Sequence, residues 1–237
     1  MLSVNQIDVY YGKVQALSGV SFEVKEGKVT SIIGGNGAGK TTTLLTISGL
    51  IRPSGGEIYL KGKPITKMPP DQIIRQGVVH VPEGRGIFPD LTVEENLKMG
   101  VFLRKDYKKL SEEFEKIFTY FPILKKRFKQ MARNLSGGEQ QMLALGRGLV
   151  ARPRLMMIDE MSMGLAPIIV QDLTNIIKEI AKEGMTILLI EQNARLALSV
   201  SHYSYIMQTG KIVKEGNSLE LLRDQDVQNY YLGGKSL

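Results

Sequence analysis

Gly34-Gly35-Asn36-Gly37-Ala38-Gly39-Lys40-Thr41 fits the spacing G-x-x-x-x-G-K-[ST] at every defined position. Each residue type in it has a physical role. Glycines lack a Cβ, so backbone N–H groups can wrap closely around a diphosphate. Lys40 is the residue that reaches β- and γ-phosphates, and the Thr41 hydroxyl is a ligand for Mg²⁺. Thr42 follows in the same turn. The flanks are those the pattern requires. Val29-Thr30-Ser31-Ile32-Ile33 reads as a buried strand, and residues 41–48 read as a helix. The helix N-terminus adds its dipole to the anion site. A chance glycine-rich turn would not need this order of strand, loop and helix.

Working outward, residues 2–9 and 20–24 are short, partly alternating runs with turn signals at Gly12 and Gly27, as expected of strands. After the loop and its helix, Arg52-Pro53-Ser54-Gly55-Gly56 breaks the chain. Residues 57–61 then read as an edge strand closed by Gly62, and residues 78–81 as a strand stopped by Pro82. Over 92–127 glycine becomes rare. Phe114, Ile117, Phe118 and Phe121 keep the i, i+3, i+4, i+7 spacing of a helix. Their aromatic stripe reads as a packing face, with a groove for a partner as the alternative. Residues 155–158 and 185–190 are apolar strands flanking a helix at 168–180. Continuous apolar runs suit parallel strands covered on both faces. Residues 205–213, turning at Thr209-Gly210, read as a closing hairpin. There is no internal repeat. The expectation is one α/β domain over 1–237, with a core lobe from 1–83 and 151–237 and a helical insert at about 84–150.

Composition narrows the class. The chain has 237 residues, 43% of them apolar, enough for one large core or two modest lobes. It lacks any run of 18 apolar residues, so no membrane-spanning helix is expected. Met1-Leu2-Ser3-Val4-Asn5 lacks a basic-then-apolar leader, so no export signal is expected. With no cysteine, disulfides and thiolate zinc sites are excluded. The net charge of +7, from 31 basic and 24 acidic residues, favours anionic neighbours without choosing among nucleotide, nucleic acid and membrane.

Two further motifs share the chain with the glycine loop. In Leu155-Met156-Met157-Ile158-Asp159-Glu160, an apolar strand delivers two carboxylates at its C-terminal end, where parallel sheets place ligands. Asp159 is positioned to join a Mg²⁺ shell beside Thr41. Glu160, one residue on, is ionised at neutral pH in the absence of perturbation and can act as a base toward water. In Leu135-Ser136-Gly137-Gly138-Glu139-Gln140-Gln141, Ser136 and Glu139 have capping-box spacing and start a helix. An ordinary helix cap explains that much. The paired glycines Gly137 and Gly138 add a cleared N-terminus whose N–H groups can face a phosphate.

This third motif, in its order between the loop and the carboxylate strand, resembles the signature of the ATP-binding cassette ATPases over essentially the whole chain. The resemblance implies the P-loop NTPase fold of the ATP-binding cassette type. That fold has a mostly parallel core sheet, an N-terminal antiparallel β subdomain and an inserted helical subdomain. It implies ATP and Mg²⁺ as cofactors and a head-to-tail dimer. Each ATP would lie between one subunit's phosphate loop and the other's Ser136–Glu139 segment. Tyr11 resembles the aromatic that stacks on adenine, with Tyr10 the next candidate, since stacking needs only one exposed ring. Residues 162–166 fall at the D-loop.

Three departures point to a branch. Glu83 stands where glutamine is usual, Ala166 where aspartate is usual, and Gln192 where the switch histidine is usual. His80 and His202 lie at neither catalytic place and read as structural. Val81-Pro82-Glu83-Gly84-Arg85, Gly164-Leu165-Ala166-Pro167, Glu191-Gln192-Asn193-Ala194 and the tail Tyr230-Tyr231-Leu232-Gly233 resemble the smaller ATPase subunit of branched-chain amino-acid importers, the LivF type. That branch implies a second, non-identical ATPase subunit, membrane permeases, an indirectly coupled solute-binding protein, and a place at the cytoplasmic face of the inner membrane. Phe88, Pro89 and Leu91 are candidate contacts for a permease coupling helix. Gln192 keeps an amide donor for a γ-phosphate but does not titrate as histidine does. Glu83 brings a negative charge near the nucleotide, which Mg²⁺, Arg85 or a water would offset. Two alternatives stay open: a cassette acting on nucleic acid or ribosomes, and a regulatory ATP-binding subunit with weak hydrolysis. No basic run interleaved with aromatics supports nucleic acid.

Overall fold

A computed structural model describes residues 1–102 and 110–231. In chain order the elements are β1 (Leu2–Tyr11), β2 (Val14–Val24), β3 (Val29–Ile33), α1 (Lys40–Ile47), β4 (Gly55–Leu60), β5 (Lys63–Pro64), α2 (Pro70–Arg75) and β6 (Val78–Val81). Then come α3 (Val93–Met99), α4 (Leu110–Tyr120), α5 (Pro122–Lys126), α6 (Gly137–Val150), β7 (Leu155–Asp159) and α7 (Pro167–Lys182). The chain continues through β8 (Thr186–Glu191), α8 (Ala194–Val200), β9 (Tyr203–Gln208), β10 (Lys211–Asn217), α9 (Ser218–Arg223) and α10 (Gln225–Tyr231).

The strands form two sheets. One is antiparallel, in the order β2-β1-β4-β5; the other runs β10-β9-β3-β8-β7-β6. In the second sheet β9, β3, β8, β7 and β6 are mutually parallel, and only β10 is antiparallel, at the edge. Every residue of β3, β7 and β8 is buried, as their unbroken apolar reading requires of strands covered on both faces. The expected fold class therefore holds: a mostly parallel sheet, an N-terminal antiparallel sheet, and helices inserted between β6 and β7.

Three local expectations are corrected. The strand expected at 57–61 is not an edge: β4 lies between β1 and β5, with Tyr59 opposite Pro64 and Leu60 opposite Lys63. Lys61 lies outside it. With φ of 49° at Lys61 and 74° at Gly62, these two residues make the tight turn that suits a two-residue hairpin. The second strand begins at Val14, not at 20, because it pairs with β1 from the turn onward, Tyr11 facing Val14. The closing hairpin is wider than 205–213, since β9 starts at Tyr203 and β10 ends at Asn217. Its turn at Thr209-Gly210 is as expected, with φ of 46° and 73°.

The aromatic stripe is a packing face. Phe114, Ile117, Phe118 and Phe121 are all buried. Phe128 meets Phe114 and Phe118 edge-on at 5.7 and 5.5 Å, a favoured ring geometry. Part of the expected 92–127 helical stretch lies outside the described residues, as do Leu232 and Gly233 of the tail. Two Thr/Ser capping boxes start the helices that matter most: Thr92 with Glu95 at α3, and Ser136 with Glu139 at α6. Asn96, fully buried, ties the preceding loop to α3. Its side chain accepts from Phe88 N at 2.9 Å and donates to Phe88 O at 2.9 Å and Thr92 O at 3.0 Å.

A groove of about 750 Å³ opens between the parallel sheet and the inserted helices, with Ile73, Val81, Phe88, Met99, Ala144 and Arg147 on its walls. Phe88 is 44% exposed and carries the Arg147 guanidinium over its ring at 5.2 Å. Pro89 beside it is exposed and Leu91 is half-buried. Their carbonyls accept from Arg133 N at 3.0 Å and Ala132 N at 2.9 Å.

His80 sits on the groove floor with Nδ1 3.5 Å from Ser48 Oγ, and His202 Nδ1 accepts from Val29 N at 3.2 Å. Burial lowers the His80 pKa from 6.5 to about 4. The unfolded chain therefore takes up this proton first. The stability tied to neutral His80 is fully present above pH 6.5 and is lost as pH falls toward 4. Between pH 7 and pH 5 the loss attributable to this ring is at most about 2 kcal/mol. Urea unfolding of the parent and His80→Phe at both pH values should show that difference. Groups common to both proteins cancel in the comparison.

Candidate nucleotide site

Five segments converge at the C-terminal ends of β3, β7 and β8: the 34–41 loop, Asp159-Glu160, Glu191-Gln192, Tyr11 and Glu83. The loop is held from beneath. Gly34 N donates to Glu191 O at 3.4 Å, and Gly210 N donates to Ala38 O at 2.8 Å. Two loop glycines are required by close approach. A Cβ on Gly34 would stand 2.4 Å from Met207 O, and one on Gly39, where φ is 105°, would stand 2.7 Å from Leu17 Cδ2. Gly35 and Gly37 differ: a Cβ there would meet nothing within 4 Å. Gly35, Asn36 and Gly37 are exposed. The loop is thus packed at its base and open at its rim, a cradle with space for a phosphate group.

Lys40 is 5% exposed, and its ammonium makes two contacts, donating to Gly35 O at 3.0 Å and pairing with Glu160 Oε1 at 3.0 Å. Without ligand, the lysine that would meet a phosphate is therefore neutralised by the acid that would meet a water. Glu160 has φ of 44°, in the left-handed region where a side chain costs roughly 1–2 kcal/mol. Its N–H donates to Ile190 O at 2.9 Å.

Both carboxylate oxygens of Asp159 are buried with no hydrogen-bond partner among the described residues. The Thr41 hydroxyl approaches closely enough to influence the carboxyl without completing a bond of good geometry. Burial pushes the Asp159 pKa up to about 6; Thr41 and Lys40 work against the rise, and the charges of Glu160 and Glu83 add to it. Glu83 is exposed on the chain yet electrostatically part of the site. An orphaned buried carboxylate beside a threonine hydroxyl is a donor set that fits Mg²⁺, a hard cation usually held by one or two protein oxygens together with substrate phosphates. No cluster of three or more His, Cys, Asp or Glu side chains occurs among the described residues, so an all-protein metal cage is not the design.

Tyr11 is 50% exposed, its hydroxyl 3.5 Å from Thr42 Oγ1. An exposed ring thus stands beside the first turn of α1. Gln192 is exposed just beyond β8.

Ser136, Gly137, Gly138 and Glu139 form a separate group at the N-terminus of α6. Ser136 N donates to Glu139 Oε2 at 2.7 Å, and Glu139 N donates to Ser136 Oγ at 3.3 Å. The capping box is as read. Gly138 has a packing reason besides clearing the helix end, whereas Gly137 faces only the movable tip of an arginine. A Cβ on Gly138 would come 2.8 Å from Ile169 Cγ2, and one on Gly137 would come 2.8 Å from Arg85 Nη2. Arg85 also donates to Gln140 Oε1 at 2.7 Å, so a cation is laid against this helix end.

One contact between two motif residues was not legible in the sequence. Glu191 and Ser162 are joined by two hydrogen bonds, Ser162 N to Oε1 at 3.1 Å and Ser162 Oγ to Oε2 at 2.8 Å. They are 29 residues apart, and the only local signal was an acid ending an apolar strand.

The described residues contain no helix long and apolar enough to cross a membrane. The family model described as ABC transporter matches residues 17–163. The high-affinity branched-chain amino acid transport ATP-binding protein BraG of Pseudomonas aeruginosa is 45% identical over 99% of this chain and 100% of its own length. The probable branched-chain amino acid transport ATP-binding protein LivF of Archaeoglobus fulgidus is 32% identical over 98% of this chain and 99% of its own. The crystal structure of the ADP conformation of MJ1267, an ATP-binding cassette of an ABC transporter, superposes with a TM-score of 0.86 at 31% identity, covering 98% of each chain. Phosphate loop, capped glycine helix and carboxylate strand, in this order and on this fold, agree with those likenesses: the chain is an ATPase and belongs to the ABC transporter family.

Proposed function

We propose that this chain is the ATP-hydrolysing subunit of a membrane importer whose cargo is branched-chain amino acids. The gathering of Lys40, Thr41, Asp159 and Glu160 at one sheet end carries the hydrolytic part of this reading. The cargo rests on the near full-length likeness to BraG, named as a branched-chain amino acid transport protein. The named relatives are transport ATP-binding proteins, which favours import over action on nucleic acid.

In this reading the N–H groups of Gly35, Asn36, Gly37, Ala38 and Gly39 cradle the phosphates, and Tyr11 stacks on the adenine. Lys40 exchanges Glu160 for the β- and γ-phosphates. Glu160, released, orients a water and accepts its proton. Thr41 and Asp159 would hold Mg²⁺, which supplies charge neutralisation on the phosphates when bound. Gln192 donates its amide to the γ-phosphate, and Glu83 helps set the charge around Asp159. Positioning and electrostatics supply the catalysis, with no covalent intermediate.

Residues Ser136 to Glu139 face the nucleotide of a second ATPase subunit, non-identical because Gln192 and Glu83 depart from the usual pair. Residues 1–83 and 151–237 act as the core lobe and about 84–150 as the helical subdomain, with the groove beside Phe88 receiving a permease segment at the cytoplasmic membrane face. A solute-binding protein acts indirectly, through the permeases. The test is co-purification with co-expressed membrane subunits. Phe88→Asp is expected to abolish capture of the permeases while ATP affinity of the free chain stays at the parental value. Retained capture would remove the groove from the reading.

A further inference from the structure

Glu191 is 1% exposed, a carboxylate at the end of a strand whose other residues are Thr186 and four aliphatic side chains. Burying an acid is costly unless its oxygens are bonded, and an apolar residue would complete β8 at less cost. Both oxygens accept from Ser162, through its N–H and its hydroxyl, and the Asn193 backbone also acts on the carboxylate. Ser162 lies two positions beyond Glu160. Burial pushes the Glu191 carboxyl up to about 7, while the Ser162 bonds hold it down.

The same short stretch of strand serves its neighbours by backbone bonds. The Glu191 carbonyl accepts from Gly34 N, at the start of the phosphate loop, and the Ile190 carbonyl accepts from Glu160 N. Gln192 follows directly. Glu160 is thus fixed on one side by Ile190, and the loop that leaves it is fixed by the Glu191 carboxylate. A non-glycine residue at φ 44° persists only where the surroundings over-determine it. Of these anchors, only the Glu191–Ser162 pair depends on side chains.

We propose that Glu191 is a positioning residue for hydrolysis: by gripping Ser162 it sets the loop that aims Glu160 and joins that loop to the phosphate-loop and Gln192 segments. The inference rests on the reading of Glu160 as the residue that orients water. Gln in place of Glu191 keeps the volume but turns one acceptor into a donor: the Ser162 N–H keeps its acceptor, whereas the bond to the Ser162 hydroxyl must reverse, which weakens the grip on the loop. The backbone bond to Gly34 is unaffected, so nucleotide binding is preserved.

The experiment measures steady-state ATP turnover of the full chain for the parent, Glu191→Gln, Ser162→Ala, the double variant and Glu160→Gln. Glu191→Gln is expected to lower kcat about 10- to 100-fold, as misplacement of a catalytic group does, with KM for ATP within about twofold of the parent. Ser162→Ala should move kcat in the same direction. The double variant should be no slower than the slower single one, because both cut one link. Parental kcat in folded Glu191→Gln, or full additivity, overturns the proposal. If Glu191→Gln fails to fold, Ser162→Ala decides alone, since it keeps the N–H bond; parental kcat there also overturns it. Glu160→Gln at the parental rate would instead sink the underlying reading of Glu160. Slow Glu160→Gln beside fast Glu191→Gln would sink only the positioning role.

Discussion

Glu160→Gln is expected to bind ATP with near-parental affinity and to hydrolyse it at least about 100-fold more slowly, the range general-base removal produces. Glu160 contacts Lys40 at 3.0 Å. The amide oxygen can still accept from Lys40, so the unliganded site keeps its shape. What disappears is the negative charge able to take a proton from water. In the proposed dimer, bound ATP would then persist, and the closed assembly should accumulate. Single-turnover hydrolysis together with size-exclusion chromatography in ATP checks both parts. Parental turnover would remove Glu160 from the chemistry.

Lys40→Ala is expected to show a double phenotype, because Lys40 bonds Gly35 O and Glu160 within the chain and would turn to the phosphates when nucleotide binds. ATP affinity should fall by about 100-fold or more, since a buried cation facing phosphate oxygens makes charge-assisted hydrogen bonds that alanine cannot. The unliganded protein should also be destabilised, by up to about 3 kcal/mol, because Glu160 is left in a nearly buried place without its countercharge. Asp159 loses a nearby positive charge as well. Fluorescent-nucleotide titration and denaturant unfolding without nucleotide separate the two effects. Unchanged nucleotide binding would defeat the loop assignment, whereas unchanged stability would show that Glu160 finds water once freed.

The parts of this architecture that were legible share one property: their chemistry is local in the chain. The 34–41 loop needs glycine at fixed offsets, and the structure shows why at Gly34 and Gly39, where added carbons would strike Met207 and Leu17. The apolar runs of β7 and β8 announce burial by themselves. Ser136 and Glu139 form a cap across three residues, so four letters suffice. What stayed hidden depends on meetings across the fold. β5 is two residues long and contains proline, so no alternation marks it, and β4 passed for an edge. Glu191 and Asn96 act on distant or looping backbone, and nothing adjacent to either reveals it. Arg85 reaching Gln140 spans 55 residues and is equally silent in the one-dimensional record.

The left-handed backbone at Glu160 has an implication for how such a chain can evolve. Glycine is the residue most at ease there, yet glycine carries no proton acceptor. Pressure toward a sturdier protein and pressure toward faster turnover therefore pull this one codon in opposite directions. A lineage released from the need to spend ATP would be free to drift toward the more relaxed choice.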